Sequence, residues 1–268
     1  MLTKLLRVNS KYRTPNSASC TDFSVALDSR DCENISQCVL LSATIPRQFG
    51  NVYAPNNVLR GQYSVTPSNP FNSFLPVAFP VTPGVYTAVQ LAVELTRVIS
   101  AEFAFIRVEF NELRQRMHFI ATNAPDNFAL NLSHESGMAR IVGLTSNVFF
   151  IDAFSPDAYV DSPPALQGPT QIYVESVFIA NRACLDVLQN GFSIPLVNVV
   201  PCALVPEGFN INYQATNIDS WAISYDVEST GLANLRTVDI RICDEYGDVL
   251  PIPENQHVDL VFKVSKPT

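Results

Sequence analysis

Three histidines, His118, His134 and His257, are the only imidazoles this 268-residue chain can bring to a metal or a proton relay, and they lie far apart. Metal-dependent β-sandwich enzymes draw several histidines to one ion, often from an H-x-H pair, and no such pair occurs here. The run "HESGM" (residues 134–138) starts as a zinc-protease H-E-x-x-H would, but Met138 stands where the second histidine must. "GFSIP" (residues 191–195) has the Gly-x-Ser spacing of a nucleophile elbow, with Pro195 in place of the closing glycine. Neither a phosphate-cradling P-loop nor a dinucleotide glycine pattern is present. Asp226 with Glu228 and Asp244 with Glu245 pair carboxylates in the way general acid–base chemistry requires, though strand ends and turns carry such pairs for structural reasons. Trp221, in "DSWAISY", has an indole that would stack on a sugar, but its place in an alternating run favours the core. The expectation is a protein that is not an enzyme, with no catalytic residue, cofactor or metal.

Six cysteines (Cys20, Cys32, Cys38, Cys184, Cys202, Cys243) form no C-x-x-C pair and no metal-ligand spacing. The start "MLTKLLRVNS" has no apolar run of seven or more, so no secretory signal is expected and the cysteines read as reduced, buried thiols. Cys38 in "CVLL" and Cys202 after "LVNVVP" have the apolar neighbours of small core residues. Asn34 and Asn131 each begin an N-x-S triplet, which matters only in a secreted chain. No stretch approaches 18 uninterrupted apolar residues, so no transmembrane segment is expected.

Charge is unevenly spread. Lys4, Arg7, Lys11 and Arg13 precede the first acid, Asp22, so residues 1–21 carry +4. The remaining 13 basic residues face 25 acidic ones, which leaves −12 there and −8 overall. A surface-wide nucleic-acid footprint is therefore not expected, and no specific nucleic acid is anticipated as a partner. Residues 1–19 read as a basic N-terminal arm, either a solvated tail or a docking arm in which Lys4, Arg7, Lys11 and Arg13 meet a neighbouring subunit or an anionic surface.

The elements that must position these residues are mostly strands. With 47% hydrophobic and 16% charged residues the chain folds, and 19 prolines, 17 phenylalanines and 9 tyrosines suit short strands with Pro-bearing turns. "DFSVAL" alternates, "QCVLLSATIP" reads as a central buried strand ended by Pro46, and "GQYSVTP" follows the long loop "RQFGNVYAPNNVLRG". "VYTAVQLAVELTRVIS" (residues 85–100) breaks the pattern. Val89, Leu91, Val93, Leu95 and Val98 recur at helical offsets, and Thr87 with Gln90 makes a capping box. Strands "AFIRVEFN", "RMHFIAT" and "NFALNL" follow, the first two joined by the hairpin "ELRQ", then a short helix in "ESGMARIVGL", the aromatic run "NVFFIDAF" and the loop "SPDAYVDSPPALQGPT". Beyond it "QIYVESVF" alternates, "ANRACLDVL" reads as a short helix, and "FSIPLVNVVPC", "GFNINYQ" and "DSWAISYDV" as strands. Val238, Ile240 and Ile242, then Val258, Leu260, Phe262 and Val264, give the last two strands one apolar face each.

The count fits a mainly β protein: a single jelly roll, that is a two-sheet antiparallel sandwich, formed by residues 20–82 and 146–268 and interrupted by a small α+β insertion at residues 83–145. The order "DFSVAL", "VLLSATIPRQFGNVYAPNN", "VYTAVQLAVELTRVI", "QIYVESVFIA" and "VDIRICDEYGDVLPIPENQHVDLVFKV" resembles the single jelly-roll penton, or minor capsid, proteins of icosahedral double-stranded DNA viruses, among them giant viruses, virophages and polinton-like elements. The resemblance implies a structural capsid protein, a homopentamer closing the fivefold vertex of a virion assembled in the host cell. Its implied partners are the neighbouring major capsid protein and cement proteins, with the basic arm close to an inner membrane. It marks no functional residue. The alternative is a carbohydrate- or protein-binding β-sandwich module whose loop tyrosines, such as Tyr53 and Tyr159, hold a ligand.

Overall fold

Strict alternation in the last strand sets the pattern for the whole chain: Leu260, Phe262 and Val264 are buried while Asp259, Val261 and Lys263 are half-buried. The computed structural model describes residues 2–28, 33–54, 56–64, 74–145, 149–180, 186–189, 192–203, 205–215, 223–224 and 236–266. In chain order its elements are β1 (Leu2–Asn9), a 3-10 turn (Ser10–Tyr12), β2 (Asp22–Ala26), β3 (Gln37–Pro46), β4 (Val58–Ser64), β5 (Leu75–Pro80), α1 (Ala88–Ser100), β6 (Ile106–Asn111), β7 (Arg116–Ala121), β8 (Ala129–Leu132), α2 (Gly137–Val142), β9 (Phe149–Asp152), β10 (Asp157–Tyr159) and β11 (Gln171–Glu175). They continue with α3 (Val177–Ala180), β12 (Asp186–Gln189), β13 (Phe192–Pro201), β14 (Asn210–Gln214), β15 (Ile223–Ser224), β16 (Thr237–Asp244) and β17 (Asp259–Lys266).

These elements form two compact units, one of Met1–Phe49 with Pro169–Thr268 and one of Gly50–Gly168. In the first unit one sheet runs β1-β17-β3-β14, with β15 also on β3, and the other runs β12-β13-β11-β16-β2. Leaving aside the hairpin partner β12 and the short β15, eight strands remain, and their antiparallel pairing is nested: β1 with β17, β2 with β16, β3 with β14, β11 with β13. The β17–β3 and β11–β16 pairings then join these hairpin-like pairs into two four-stranded sheets. That is the wrapping of a jelly roll. β1, which lies within the basic span of residues 1–19, is the first of the eight. Edge strand β2 is covered rather than open: Ser24 O accepts from Thr14 N (2.7 Å) and Ser24 N donates to Ser17 Oγ (3.0 Å).

Between β11 and β13 the structure differs from the sequence expectation. "VFIA" is helical and Asp186–Gln189 is a strand paired with β13, the reverse of the order expected there. The cause is tertiary: the Asp239 carboxylate, 62 residues away, accepts from Val177 N (2.9 Å), and Ser176 Oγ accepts from Ile179 N (3.1 Å), so the first turn of α3 is capped by a residue no local pattern reveals.

The second unit holds the sheets β10-β7-β6 and β5-β4-β8-β9 with α1 and α2. Its limits, 49/50 and 168/169, enclose β4, β5, β9 and β10 as well as residues 83–145. The Thr87–Gln90 capping box starts α1 as expected. The apolar stripe divides, however: Leu91, Ala92, Leu95 and Ile99 are buried, whereas Val89 and Val93, half a turn round the helix, are exposed. Thr96 anchors α1 to the edge of β6, its hydroxyl accepting from Val108 N at 2.8 Å. Phe103, Phe105, Phe128 and Tyr63 fill the space below in edge-on and tilted contacts of 4.7–5.3 Å. α2 ends in a full Schellman motif, with Gly143 at φ 97° and hydrogen bonds from Leu144 N to Ala139 O and from Gly143 N to Arg140 O.

Gly61 sits where β4 and β8 approach most closely. A Cβ there would stand 2.6 Å from the Asn131 carbonyl oxygen, a backbone atom fixed by the β4–β8 ladder. Gly61→Ala is expected to cost about 1–3 kcal/mol through overpacking, measurable as a lowered melting temperature; an unchanged melt would contradict so close an approach of the two strands.

Candidate functional site

The four basic residues singled out near the N-terminus sit on β1 and the segment just after it. Arg7 grips Asp259 with two nitrogens, Nε to Oδ1 at 2.9 Å and Nη2 to Oδ2 at 2.6 Å, a bidentate fork that holds the Asp259 carboxyl below its ordinary range. Arg13 forms an ion pair with Glu254 and donates from Nη1 to Ser10 O at 3.3 Å. Lys4 is half-buried opposite Val264 of β17, and Lys11 is exposed in the 3-10 turn. Two of the four cations are thus committed to acids that flank and begin the last strand. The loop before that strand is sewn to the same region: Thr21 Oγ1 donates to Leu250 O (2.7 Å), the Cys20 thiol to Ile252 O (3.1 Å), and Val258 N to Ser10 Oγ (2.9 Å).

The Asp244–Glu245 pair is engaged by backbone amides and one hydroxyl. Asp244 is buried, and its Oδ1 accepts from Tyr246 N (2.8 Å) and Asp248 N (2.9 Å), shaping the turn that follows β16; Glu245 accepts from Thr170 N and Oγ1, both at 3.2 Å. Asp226, Glu228 and Trp221 lie outside the described residues, as do Cys32 and Cys184. Cys20, Cys38, Cys202 and Cys243 are buried thiols not joined in disulfides, and burial pushes Cys202 up to about 11 and Cys243 higher still. "HESGM" turns out to be a helix start: Ser136 Oγ caps α2 by accepting from Ala139 N (3.1 Å), and Met138 is fully buried in the core. Among the described residues, no group of three or more His, Cys, Asp or Glu is placed to hold a metal.

The two tyrosines expected to serve a ligand are otherwise engaged. Tyr53 is buried, 2% exposed, which removes it from any loop surface. Tyr159 lies flat on His118 (4.0 Å between centroids, 5° between planes) and the Arg114 guanidinium stands 4.2 Å over the Tyr159 ring.

Two concavities with charged linings stand out among the described residues, one in each unit. On the outer face of β5, β4 and β8 a cleft of about 500 Å³ is lined by Arg60 and Gln62 from β4, Pro76 and Ala78 from β5 and Asn131 from β8, with His134 and Glu135 in the turn beyond. Gln62 stands in register with Pro76 on one side and Asn131 on the other. Most of these residues belong to strands separated widely in sequence, and the N-x-S triplet at Asn131 and the "HESGM" run at His134 point to other chemistry, so sequence reasoning had no signal for the cleft. In the first unit a pocket of about 300 Å³ is lined by Asp22, Glu175, Asp239 and Arg241. Asp239 is occupied with Ser176 Oγ (2.9 Å) and Val177 N, and Glu175 Oε2 accepts from Arg241 Nη1 at 3.3 Å. Glu175 is 3% exposed and its Oε1 is buried without a hydrogen-bond partner. Burial raises its carboxyl above the ordinary 4.5 despite the opposing pull of Arg241.

No protein-family model matches this chain, and no curated protein does. In structure the chain is similar to the mavirus penton protein, known from a crystal structure of its SeMet-labelled form, with 9% sequence identity, a TM-score of 0.47 and coverage of 99% of this chain and 100% of that one.

Glu175 gives the first unit a pH signature. Because its folded-state carboxyl is raised, the native state holds a proton that the unfolded chain has released, so stability from this group is present at low pH and is lost as pH rises above 4.5 through the folded value. Around it stand Arg241, Asp22, Asp239 and Cys243. Glu175→Gln is expected to flatten the fall in melting temperature between pH 5 and pH 8 relative to the parent chain; parallel profiles for the two would contradict a strained, buried carboxylate.

Proposed function

We propose that this chain is a structural capsid protein that closes a fivefold vertex of an icosahedral particle as a homopentamer, with the neighbouring major capsid protein and cement proteins as its contacts and the virion shell as its place. The observation that carries the proposal is the nested pairing of eight strands into a two-sheet roll, in which the singled-out functional groups that are described serve the fold: Arg7 and Arg13 bind acids at the C-terminal strand, and Asp244 and Glu245 bind backbone amides. A sandwich of this kind offers flat flanks, and a ring arises when one flank meets a different flank of the next copy at a rotation that closes. Of the sequence runs that resemble penton proteins, "VLLSATIP" lies in β3 and "VDIRICDEYGDVLPIPENQHVDLVFKV" spans β16 to β17, whereas "VYTAVQLAVELTRVI" forms α1 of the second unit. The alternative of a ligand-binding sandwich module loses the support it drew from Tyr53 and Tyr159, one buried and the other covered.

In this account Lys11, exposed in the 3-10 turn, is the basic residue placed to meet a neighbour, while Arg7 and Arg13 pair with acids of this chain. The test is the native mass of the purified chain across concentration and salt. A species at roughly five times the 29.6 kDa chain mass is expected for cyclic closure; a mass of one chain throughout, or a closed dimer or trimer, would contradict it.

A further inference from the structure

The cleft on the outer face of β5, β4 and β8 is lined by several uncommitted polar groups. The side chains of Arg60, Gln62, Asn131 and Glu135 make no hydrogen bond or ion pair with another described residue, and Asn131 Oδ1 is buried with no partner at all. Unsatisfied buried polar atoms are rare, and those lining a concavity are the ones a ligand can satisfy. Beside them Pro76 and Ala78 supply an apolar shelf one strand away. The inventory is balanced. Arg60 only donates, Glu135 only accepts, and the two amides do both. The charges of Arg60 and Glu135 cancel.

We propose that this cleft binds a neutral saccharide of about disaccharide size. Vicinal hydroxyls donate and accept from adjacent positions, so one sugar ring can satisfy Arg60 and Glu135 together with an amide from each of two strands, while its C–H face rests on Pro76 and Ala78. An anionic ligand would leave Glu135 repelled, and an apolar one would leave Asn131 Oδ1 and the guanidinium dry. A volume of about 500 Å³ lies within the range of small-molecule sites. The proposal stands apart from ring closure, because it concerns the second unit alone and is read by ligand binding rather than by mass.

The experiment uses the full chain and saturation-transfer NMR with lactose, maltose, cellobiose and mannobiose, with sialyllactose and a glutamate-rich hexapeptide as charged probes. At least one neutral disaccharide is expected to show transfer and to saturate, and Arg60→Ala and Asn131→Ala are each expected to weaken that binding tenfold or more. Arg114→Ala, in the stack on Tyr159, is expected to leave it unchanged, and a thermal melt of each variant verifies the fold. Transfer to none of the four neutral sugars overturns the proposal, as does binding that both cleft variants leave intact. Tighter binding of sialyllactose or the peptide than of every neutral sugar overturns the assignment of ligand class.

Discussion

The pairing of the first strand with the last is the constraint on which the remaining structure depends. Leu2 to Asn9 run antiparallel to Lys266 back to Asp259 without a break in register, and the Arg7–Asp259 fork lies near one end of that ladder. Inside this outermost pair the others are nested, so the roll is complete only when β1 and β17 meet. Non-local pairings of this kind pay their loop-closure entropy before any contact rewards it. They also explain how the chain carries a second compact unit. Gly50–Gly168 enters between the third and fourth strands of the roll, and because closure entropy grows only with the logarithm of loop length, each doubling adds about 0.6 kcal/mol. An insertion of that size burdens the roll less than its length suggests.

The same constraint explains where charge and polar side chains went. Residues near the N-terminus that look like free cations in the sequence have fixed acids to meet, Asp259 and Glu254, both near the start of the last strand. The long connection between β16 and β17, which carries no visible chemistry, is a strap: it bonds to Cys20, Thr21 and Ser10, the residues that flank β2 and follow β1. Asp244 and Glu245 turn from an apparent acid pair into two separate backbone clamps. Polar groups invested in this way lower the number available for catalysis and raise the number that define one register.

Legibility in the sequence followed how local each cause was. β3 was readable to the residue, because its apolar run ends at Pro46, and α1 was readable through Thr87 and Gln90, because both partners of the capping box lie within one turn. The face of α1 was less legible: Val89 and Val93 follow helical spacing as well as Leu91 and Leu95 do, and only packing against β6 decides which stripe is buried. β1 resembles an arm in the sequence since its basic residues are as conspicuous as its alternation, and α3 needs an aspartate 62 residues away. Prolines at both ends of "LPVAFP" conceal β5, which among the described residues is an edge strand on β4 and tolerates them there. The cleft was illegible for the same reason, as Arg60 and Asn131 share a face only after β4 and β8 have paired.

Hydrogen exchange of the isolated chain tests the terminal closure most directly. If β1 is a strand of the roll, the amides of residues 2–9 that point toward β17 exchange as slowly as those of β17 itself, in alternation with fast outward-pointing amides, and the two strands lose protection together as denaturant is added. Free-chain exchange at every amide of residues 2–9, with β17 still protected, would contradict the account: the N-terminal segment would then be an arm, and the roll would close without it.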